Sequence, residues 1–246
     1  MTFDTAFKHL YAEELAPYGF RKVKGKRPYF ARMVGDEIVH VTTYRNSWDF
    51  RPYKSFELRW GVATVYRGKI DFDENPRGTT SWTRYAPGHQ KFQYREEIPM
   101  EQGKAYATDG NNVDMMEELR NSMEVTKREI LPRLDQIREL KDCWAFLRDT
   151  AYYVYDLDKY EDEDREGMLN FILYDPGELE ARARSVIEKL DRKDRDWERD
   201  IRIMNEQIEI FRKYAEDETY HRRVEEELER RKIQNQEILR SYGLEF

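Results

Sequence analysis

Apolar residues recur with a helical period at the start of the chain. Either Thr2 or Asp4 is placed to cap this first helix, and Pro17 and Gly19 are placed to end it. The positions that would form its buried face are Phe3, Phe7, Leu10, Tyr11 and Leu15. The pattern therefore predicts an amphipathic helix at the N-terminus.

Strand patterns follow over residues 29–34, 37–45 and 55–67. The first two are joined by Gly35-Asp36, which is typical of a hairpin turn. In the third, large side chains alternate on one face: Phe56, Leu58, Trp60, Val62, Thr64 and Tyr66. The other face carries Glu57, Arg59, Gly61, Ala63, Val65 and Arg67, which predicts partial exposure to solvent. These strands predict an α+β fold in which helices pack on one face of an antiparallel sheet.

Beyond residue 70 the pattern is mixed. Segments 82–85 and 91–98 are candidate strands, and residues 109–112 open a helix that runs to about residue 131. Pro132 either kinks this helix or lies in the first turn of the next one. Apolar positions then continue the helical period to Leu147.

The polar stretch 161–166 is the predicted boundary between an α+β domain (1–160) and a helical extension (167–246). Residues 177–215 follow one helical period, which predicts a rod of roughly 58 Å at about 1.5 Å per residue. A second helix over about 217–242 would fold back to cover the apolar seam of this rod. We expect an antiparallel hairpin, with a coiled coil between two chains, and hence a homodimer instead of a monomer, as the alternative.

The composition is strongly polar for a chain that also carries many rings. Charged residues make up 38%, aromatic residues 14%, and the mean hydropathy is -0.98. The rings argue against disorder because they must be buried. There is no apolar run long enough for a membrane span, no apolar core of a secretory signal, and one cysteine. The sequence thus predicts a soluble cytoplasmic protein without membrane association.

Charge is unevenly distributed along the chain. Residues 1–70 contain 13 Lys and Arg against 7 Asp and Glu, whereas the rest contain 30 against 43. The basic residues, interleaved with aromatic ones, suggest a surface for RNA or single-stranded DNA. That surface would consist of Arg21, Lys22, Lys24, Lys26, Arg27, Arg45 and Arg59. The competing interpretation is that the rings form the core and that the charges are solvated or pair within the molecule.

No set of residues shows the spacing of a known catalytic or cofactor site. The four histidines are scattered, and no glycine-rich phosphate loop or nucleophile elbow is present. Cys143 lies on the apolar side of a helical run, as a small core residue would. Asp71, Asp73 and Glu74 follow a strand, where metal-dependent nucleases often place carboxylates, although a solvated turn explains them as well. The sequence predicts no catalytic residue, no metal site and no cofactor.

Two stretches resemble a bacterial family known as a domain of unknown function, number four-three-zero-four. One stretch is Gly19-Phe20-Arg21-Lys22 with Tyr29-Phe30-Ala31-Arg32. The other runs from Ile130-Leu131-Pro132-Arg133 through Trp144-Ala145-Phe146-Leu147. The resemblance covers roughly residues 1–150. It implies a small α+β domain with no established catalytic residues and a suspected role in toxin immunity.

These observations favour a non-catalytic binding or regulatory protein that contacts a protein partner, in an immunity-like role at its most specific. Acidic proteins of that kind attract basic partners by electrostatic steering. The alternative is nucleic-acid binding through the N-terminal sheet. A metal-dependent hydrolase that uses Asp71 and Asp73 is the least favoured hypothesis.

Overall fold

The computed structural model describes residues 2–25, 28–47, 53–66, 68–72, 90–95, 114–147, 171–172, 176–189 and 197–246. These residues form a five-stranded antiparallel sheet, in the order β1-β2-β3-β4-β5, together with helices. The strands are β1 (Arg21–Lys22), β2 (Phe30–Val34), β3 (Ile38–Ser47), β4 (Tyr53–Thr64) and β5 (Gln90–Arg95). The predicted α+β fold, an antiparallel sheet with helices and a helical C-terminal part, is confirmed.

The first helix, α1 (Phe3–Leu15), begins and ends where the sequence predicts. The Thr2 side chain accepts a hydrogen bond from the backbone N–H of Thr5 and so caps the first turn. One 3-10 turn containing Pro17 follows, and Gly19 then reverses the chain with a φ of 79°. The helix therefore ends at a residue without a side chain because the backbone there is left-handed.

Aromatic side chains attach α1 to one face of the sheet, which we call the first face. The Phe7 ring lies 3.9 Å from that of Tyr11, 6.0 Å from that of Phe30 and 4.6 Å from that of Tyr44. Phe7 and Tyr11 are fully buried, and burial of such a side chain contributes about 1.5–3 kcal/mol. This contact is the main anchor of α1.

The opposite face, the second face, is also buried, so the prediction of partial solvent exposure is wrong. Arg59 is only 6% exposed, Ala63 is 2% exposed and Val65 is fully buried. The rings of Tyr29 and Phe72 lie 5.3 Å apart, and that of Tyr242 lies 5.0 Å from Phe72. Residues near the C-terminus therefore cover positions that strand alternation alone assigns to solvent.

The middle of the chain is more broken than its helical period suggests. Asp114 caps α2 (Met115–Val125), a π-helical turn spans Thr126–Ile130, and α3 covers Leu131–Leu134. Pro132 lies in the first turn of α3, where it has no N–H to donate and its ring would clash with the carbonyl of Arg128. The wider π turn before it relieves this conflict. The proline thus both distorts one helix and starts the next.

The predicted continuity from α3 to residue 147 is wrong, since a turn at 135–139 separates α3 from α4 (Leu140–Leu147). At this turn the Asp142 carboxylate accepts hydrogen bonds from the backbone N–H groups of Arg138 and Glu139, at 3.0 and 2.9 Å. These bonds lower the pKa of Asp142. They also satisfy donors that a new helix leaves open at its start.

The continuous rod predicted over 177–215 is not formed. Helices α5 (Pro176–Lys189) and α6 (Trp197–Glu216) pack against each other instead. Glu180, near the start of α5, accepts hydrogen bonds from Arg212, near the end of α6, at 2.9 and 3.2 Å. This pair shows that the helices are antiparallel. The apolar seam of α6 therefore finds its partner in α5.

The last helix, α7 (Glu218–Ser241), returns to the sheet. Asp217 caps it, and its buried face contains Tyr220, Val224, Leu228, Arg231, Asn235 and Leu239. The Asn235 side chain accepts a hydrogen bond from Ile70 N at 2.9 Å. It donates to the carbonyls of Val65 at 2.9 Å and Gly68 at 3.3 Å. Asn235 thereby fastens α7 to the chain that leaves β4.

Two further predictions have different outcomes. Candidate strand 91–98 corresponds to β5, whereas segment 82–85 and boundary 161–166 lie outside the described residues. None of the described helices combines the length and the apolar character that crossing a bilayer requires.

Replacement of Asn235 tests this attachment. We expect Asn235→Ala to lower the free energy of unfolding by about 2–4 kcal/mol, because it leaves buried backbone groups without partners. The matched variant Asn121→Ala, on the exposed side of α2, should change it by less than about 0.5 kcal/mol. Urea denaturation measures both values, and equal effects would contradict this role of Asn235.

Candidate functional site

The residues proposed for nucleic-acid binding do not form one surface. Arg21 and Lys22 are exposed on the edge strand β1, and Lys24 is exposed just beyond it. Arg59 is buried on the second face, and Arg45 belongs to β3. Lys26 and Arg27 lie outside the described residues. Among the members of the set whose exposure the structure describes, the exposed ones lie at the β1 edge.

Residues near the C-terminus already engage part of that edge. The Arg21 guanidinium lies 2.9 Å from the Glu245 carboxylate. The backbone N–H of Lys24 donates to the Tyr242 carbonyl at 3.1 Å, and its side chain lies against Gly243. Such exposed ion pairs contribute little to stability, but they offset positive charge locally.

The described aromatic residues of the proposed stacking surface are structural. Tyr29, Phe30 and Trp60 are at most 3% exposed, and Tyr44 packs its ring 4.9 Å from that of Phe3. A ring that is buried in this way cannot stack on a base. These positions agree with the interpretation that the rings form the core.

The candidate carboxylates after β4 do not converge in the described part of the chain. Asp71 accepts a hydrogen bond from the Tyr242 hydroxyl at 3.3 Å, and Asp73 and Glu74 lie outside the described residues. Within the described ranges, no three histidine, cysteine, aspartate or glutamate side chains are placed to hold a metal ion. Cys143 is buried, as a core residue would be.

A polar network that the sequence did not indicate lies on the first face. Arg32 on β2 stands directly across from His40 on β3. Its guanidinium donates to His40 Nδ1 at 3.2 and 3.1 Å, to Asp135 at 2.5 Å and to the Tyr18 carbonyl at 2.9 Å. It also lies 4.8 Å from the centre of the Phe20 ring. Arg32 therefore joins β2, β3, the 3-10 turn after α1 and the turn after α3.

This network keeps His40 neutral. Because a guanidinium can only donate, Nδ1 must accept and the proton of the imidazole resides on Nε2. Burial, reinforced by the positive charge of Arg32, lowers the pKa of His40 to about 3. Asp135 and the backbone of Ile137 oppose that shift more weakly. A neutral, fully buried imidazole here is a structural group and not a proton carrier at neutral pH.

A cleft of about 370 Å³ opens beside this network, at the end of the sheet. One wall is the turn between β2 and β3, and the other is the start of α4. Its apolar lining consists of Val34, Ile38, Leu140 and Ile172. Its charged lining consists of Asp36, Glu37, Arg138, Glu139 and Lys141. We call the apolar residues the floor of the cleft and the charged residues its rim.

The C-terminal helices hold the cleft in shape. Lys232 on α7 lies 3.1 Å from Asp36 and 3.5 Å from Glu37, and Gln236 donates to the Asp36 carbonyl at 3.0 Å. The Tyr66 hydroxyl also donates to Glu37, and burial together with this carboxylate raises the pKa of Tyr66. Contacts from α7 and Tyr66 therefore hold the β2–β3 turn, which forms one wall of the cleft, in place.

Ile172 reaches the cleft because its neighbour is anchored on α6. The Phe171 ring lies 4.5 Å from that of Tyr214 and 6.3 Å from that of Phe211. Phe171 is 6% exposed, whereas Ile172 is 37% exposed. The cleft thus draws on three distant parts of the sequence, and no local motif marks it.

Comparisons of the chain with protein-family models, with curated proteins and with solved structures found no match. The resemblance to the domain family of unknown function stays a prediction.

The burial of His40 makes stability depend on pH. Its folded pKa lies below the ordinary value near 6.5, so protonation favours the unfolded chain, and stability declines as the pH falls below about 6.5. Between pH 7 and pH 5 we expect His40 to remove about 2 kcal/mol from the free energy of unfolding.

Urea denaturation at both pH values, compared with His40→Gln, measures this loss. The variant should lack that part of the loss, since the other histidines are common to both proteins. Equal losses in the two proteins, or an imidazole of His40 that titrates near pH 6.5 by NMR, would contradict the assignment.

Proposed function

We propose that this protein is a non-catalytic binding protein that contacts a protein partner in a regulatory or immunity-like role. The observation that carries the proposal is the cleft between the β2–β3 turn and α4. It offers an apolar floor with charged groups at its rim.

The size of the cleft favours side chains of a partner over a large cofactor. Small-molecule sites occupy roughly 300–1,000 Å³, so a cleft of about 370 Å³ lies near the lower limit. Two or three side chains of a protein segment fill such a space. The exposed Ile172 at its wall supplies the kind of apolar contact that anchors protein interfaces.

The overall charge supports the immunity-like version of the proposal. The formal net charge is -7. A field of this sign accelerates encounter with basic proteins over distances of about 10 Å or less at physiological salt. Electrostatic steering depends on the total charge of the partner. Recognition of one segment of the partner depends on the side chains that line the cleft.

Two exposed isoleucines provide a matched test of the cleft. We expect Ile172→Asp to reduce capture of the partner from extracts of the producing cells by about tenfold or more, because a carboxylate then replaces apolar contact area. Ile233→Asp places the same change on α7, where Ile233 is 49% exposed and is not part of the cleft, and it should leave capture unchanged.

Quantitative mass spectrometry of the captured proteins measures the effect. A wild-type protein that captures no partner and is monomeric when pure would refute the proposal. Equal capture by the two variants would remove the cleft as its basis.

Nucleic-acid binding is the second candidate, and the exposure of Lys22 and Lys24 beside the edge strand supports it. If this candidate is correct, oligonucleotides bind with micromolar affinity that weakens as the salt concentration rises. The double variant Lys22→Glu/Lys24→Glu then abolishes the binding. Our proposal expects no mobility shift with RNA or single-stranded DNA at low salt. A salt-sensitive shift that the double variant loses would favour the second candidate.

A further inference from the structure

Each carboxylate around the cleft has a basic partner within the chain, and two of them share one lysine. Asp36 and Glu37 face Lys232 from α7, at 3.1 and 3.5 Å. Glu139 lies 2.5 Å from Lys141 on the same wall. Each carboxylate of the rim therefore has a cation of this chain beside it.

Arg138 differs from the other charged residues of the rim. Its Nε donates to the Asp135 carbonyl at 2.9 Å, while Asp142 accepts from its backbone N–H and not from its side chain. No carboxylate of the described residues lies within ion-pair distance of its guanidinium. Arg138 is exposed and lines the cleft. Among the described residues, the Arg138 guanidinium is thus the charged group of the rim that has no oppositely charged partner.

The position of Arg138 is fixed although its terminal nitrogens are exposed. The backbone at 138–139 is held by the Asp142 carboxylate, and the Nε contact restrains the side chain. A guanidinium that is oriented in advance loses less entropy on binding, and its two terminal nitrogens match the two oxygens of a carboxylate. Leu140 lies two residues further along the same wall.

We propose that the cleft binds a protein segment in which an apolar side chain lies next to a carboxylate. The apolar side chain occupies the floor formed by Val34, Ile38 and Leu140, and the carboxylate pairs with Arg138. This inference rests on the proposed function and specifies the chemistry of the partner segment.

The same arrangement disfavours basic segments. A lysine or arginine that enters beside Arg138 meets a like charge, and Asp36 and Glu37 already pair with Lys232. Burial lowers the pKa of Lys232, but the hydrogen bonds and charges of Asp36 and Glu37 outweigh burial, so the pKa is raised and Lys232 stays charged. The cleft therefore discriminates by repulsion as well as by attraction.

A display library of peptides with six randomised positions tests the inference without a known partner. We expect selection on the full-length protein to enrich Asp or Glu next to Leu, Ile or Phe. For a selected peptide, replacement of its acidic residue by the amide should weaken binding about tenfold, a typical effect of losing a charge-assisted hydrogen bond. Fluorescence anisotropy measures the affinity.

Arg138→Gln should remove this preference, so that the acidic peptide and its amide counterpart bind equally. Arg133→Gln is the matched control, because Arg133 is also exposed in this region but is not part of the cleft. It should keep the preference. Amide chemical shifts of Val34, Ile38 and Leu140 should change when the peptide is added.

Three results would overturn the inference: no enriched sequence, enrichment of basic residues, or a preference that Arg138→Gln leaves intact. Its failure is distinguishable from failure of the proposed function. If capture of the cellular partner still depends on Ile172 while the library yields no acidic motif, the partner uses the cleft through other chemistry. If capture does not depend on Ile172 either, both proposals are wrong.

Discussion

The buried amide of Asn235 is the interaction on which the rest of the arrangement depends. It is 1% exposed and bonds to three backbone groups of the chain that leaves β4. Through it, α7 is held against the second face, and Lys232 and Gln236 come within reach of the β2–β3 turn. Asn235 thus supplies hydrogen-bond partners to three backbone groups that the loop after β4 would otherwise leave unsatisfied. The position of α7, the cover of the second face and the cleft wall depend on this attachment.

The sequence was sufficient for elements whose signals are local. The cap and stop of α1, the alternation along β4 and the bounds of α7 follow from local signals and agree with the structure. The β2–β3 hairpin was also found, but its turn has three residues, 35–37, where Gly35-Asp36 predicted two. A slip of one residue moves every side chain to the other face, and it would separate Arg32 from His40. The sequence alone therefore does not place Arg32 opposite His40.

Other predictions fail because they depend on contacts between residues that are far apart in the sequence. The helical period over 177–215 persists through two helices, and periodicity cannot show that Glu180 meets Arg212. Similarly, Arg59 and Val65 looked partly exposed because nothing near them in the chain covers them. The cleft is even harder to predict from the sequence, because it is lined by residues 34–38, 138–141 and Ile172, which are far apart in the chain. Of the residues that line the cleft, only Arg138 has a local sequence feature, its position just before a helix. Many solvent-exposed arginines share this feature, so it does not indicate a binding site.

The placement of α7 has a consequence for biosynthesis. The bond from Ile70 to Asn235 spans 165 positions, so the strands leave the ribosome long before their cover exists. At about 5–20 residues per second, this interval lasts on the order of ten seconds. During it, Val39, Val41 and Ala63 face water as an apolar surface. The second face therefore stays uncovered during synthesis until the residues of α7 have been made.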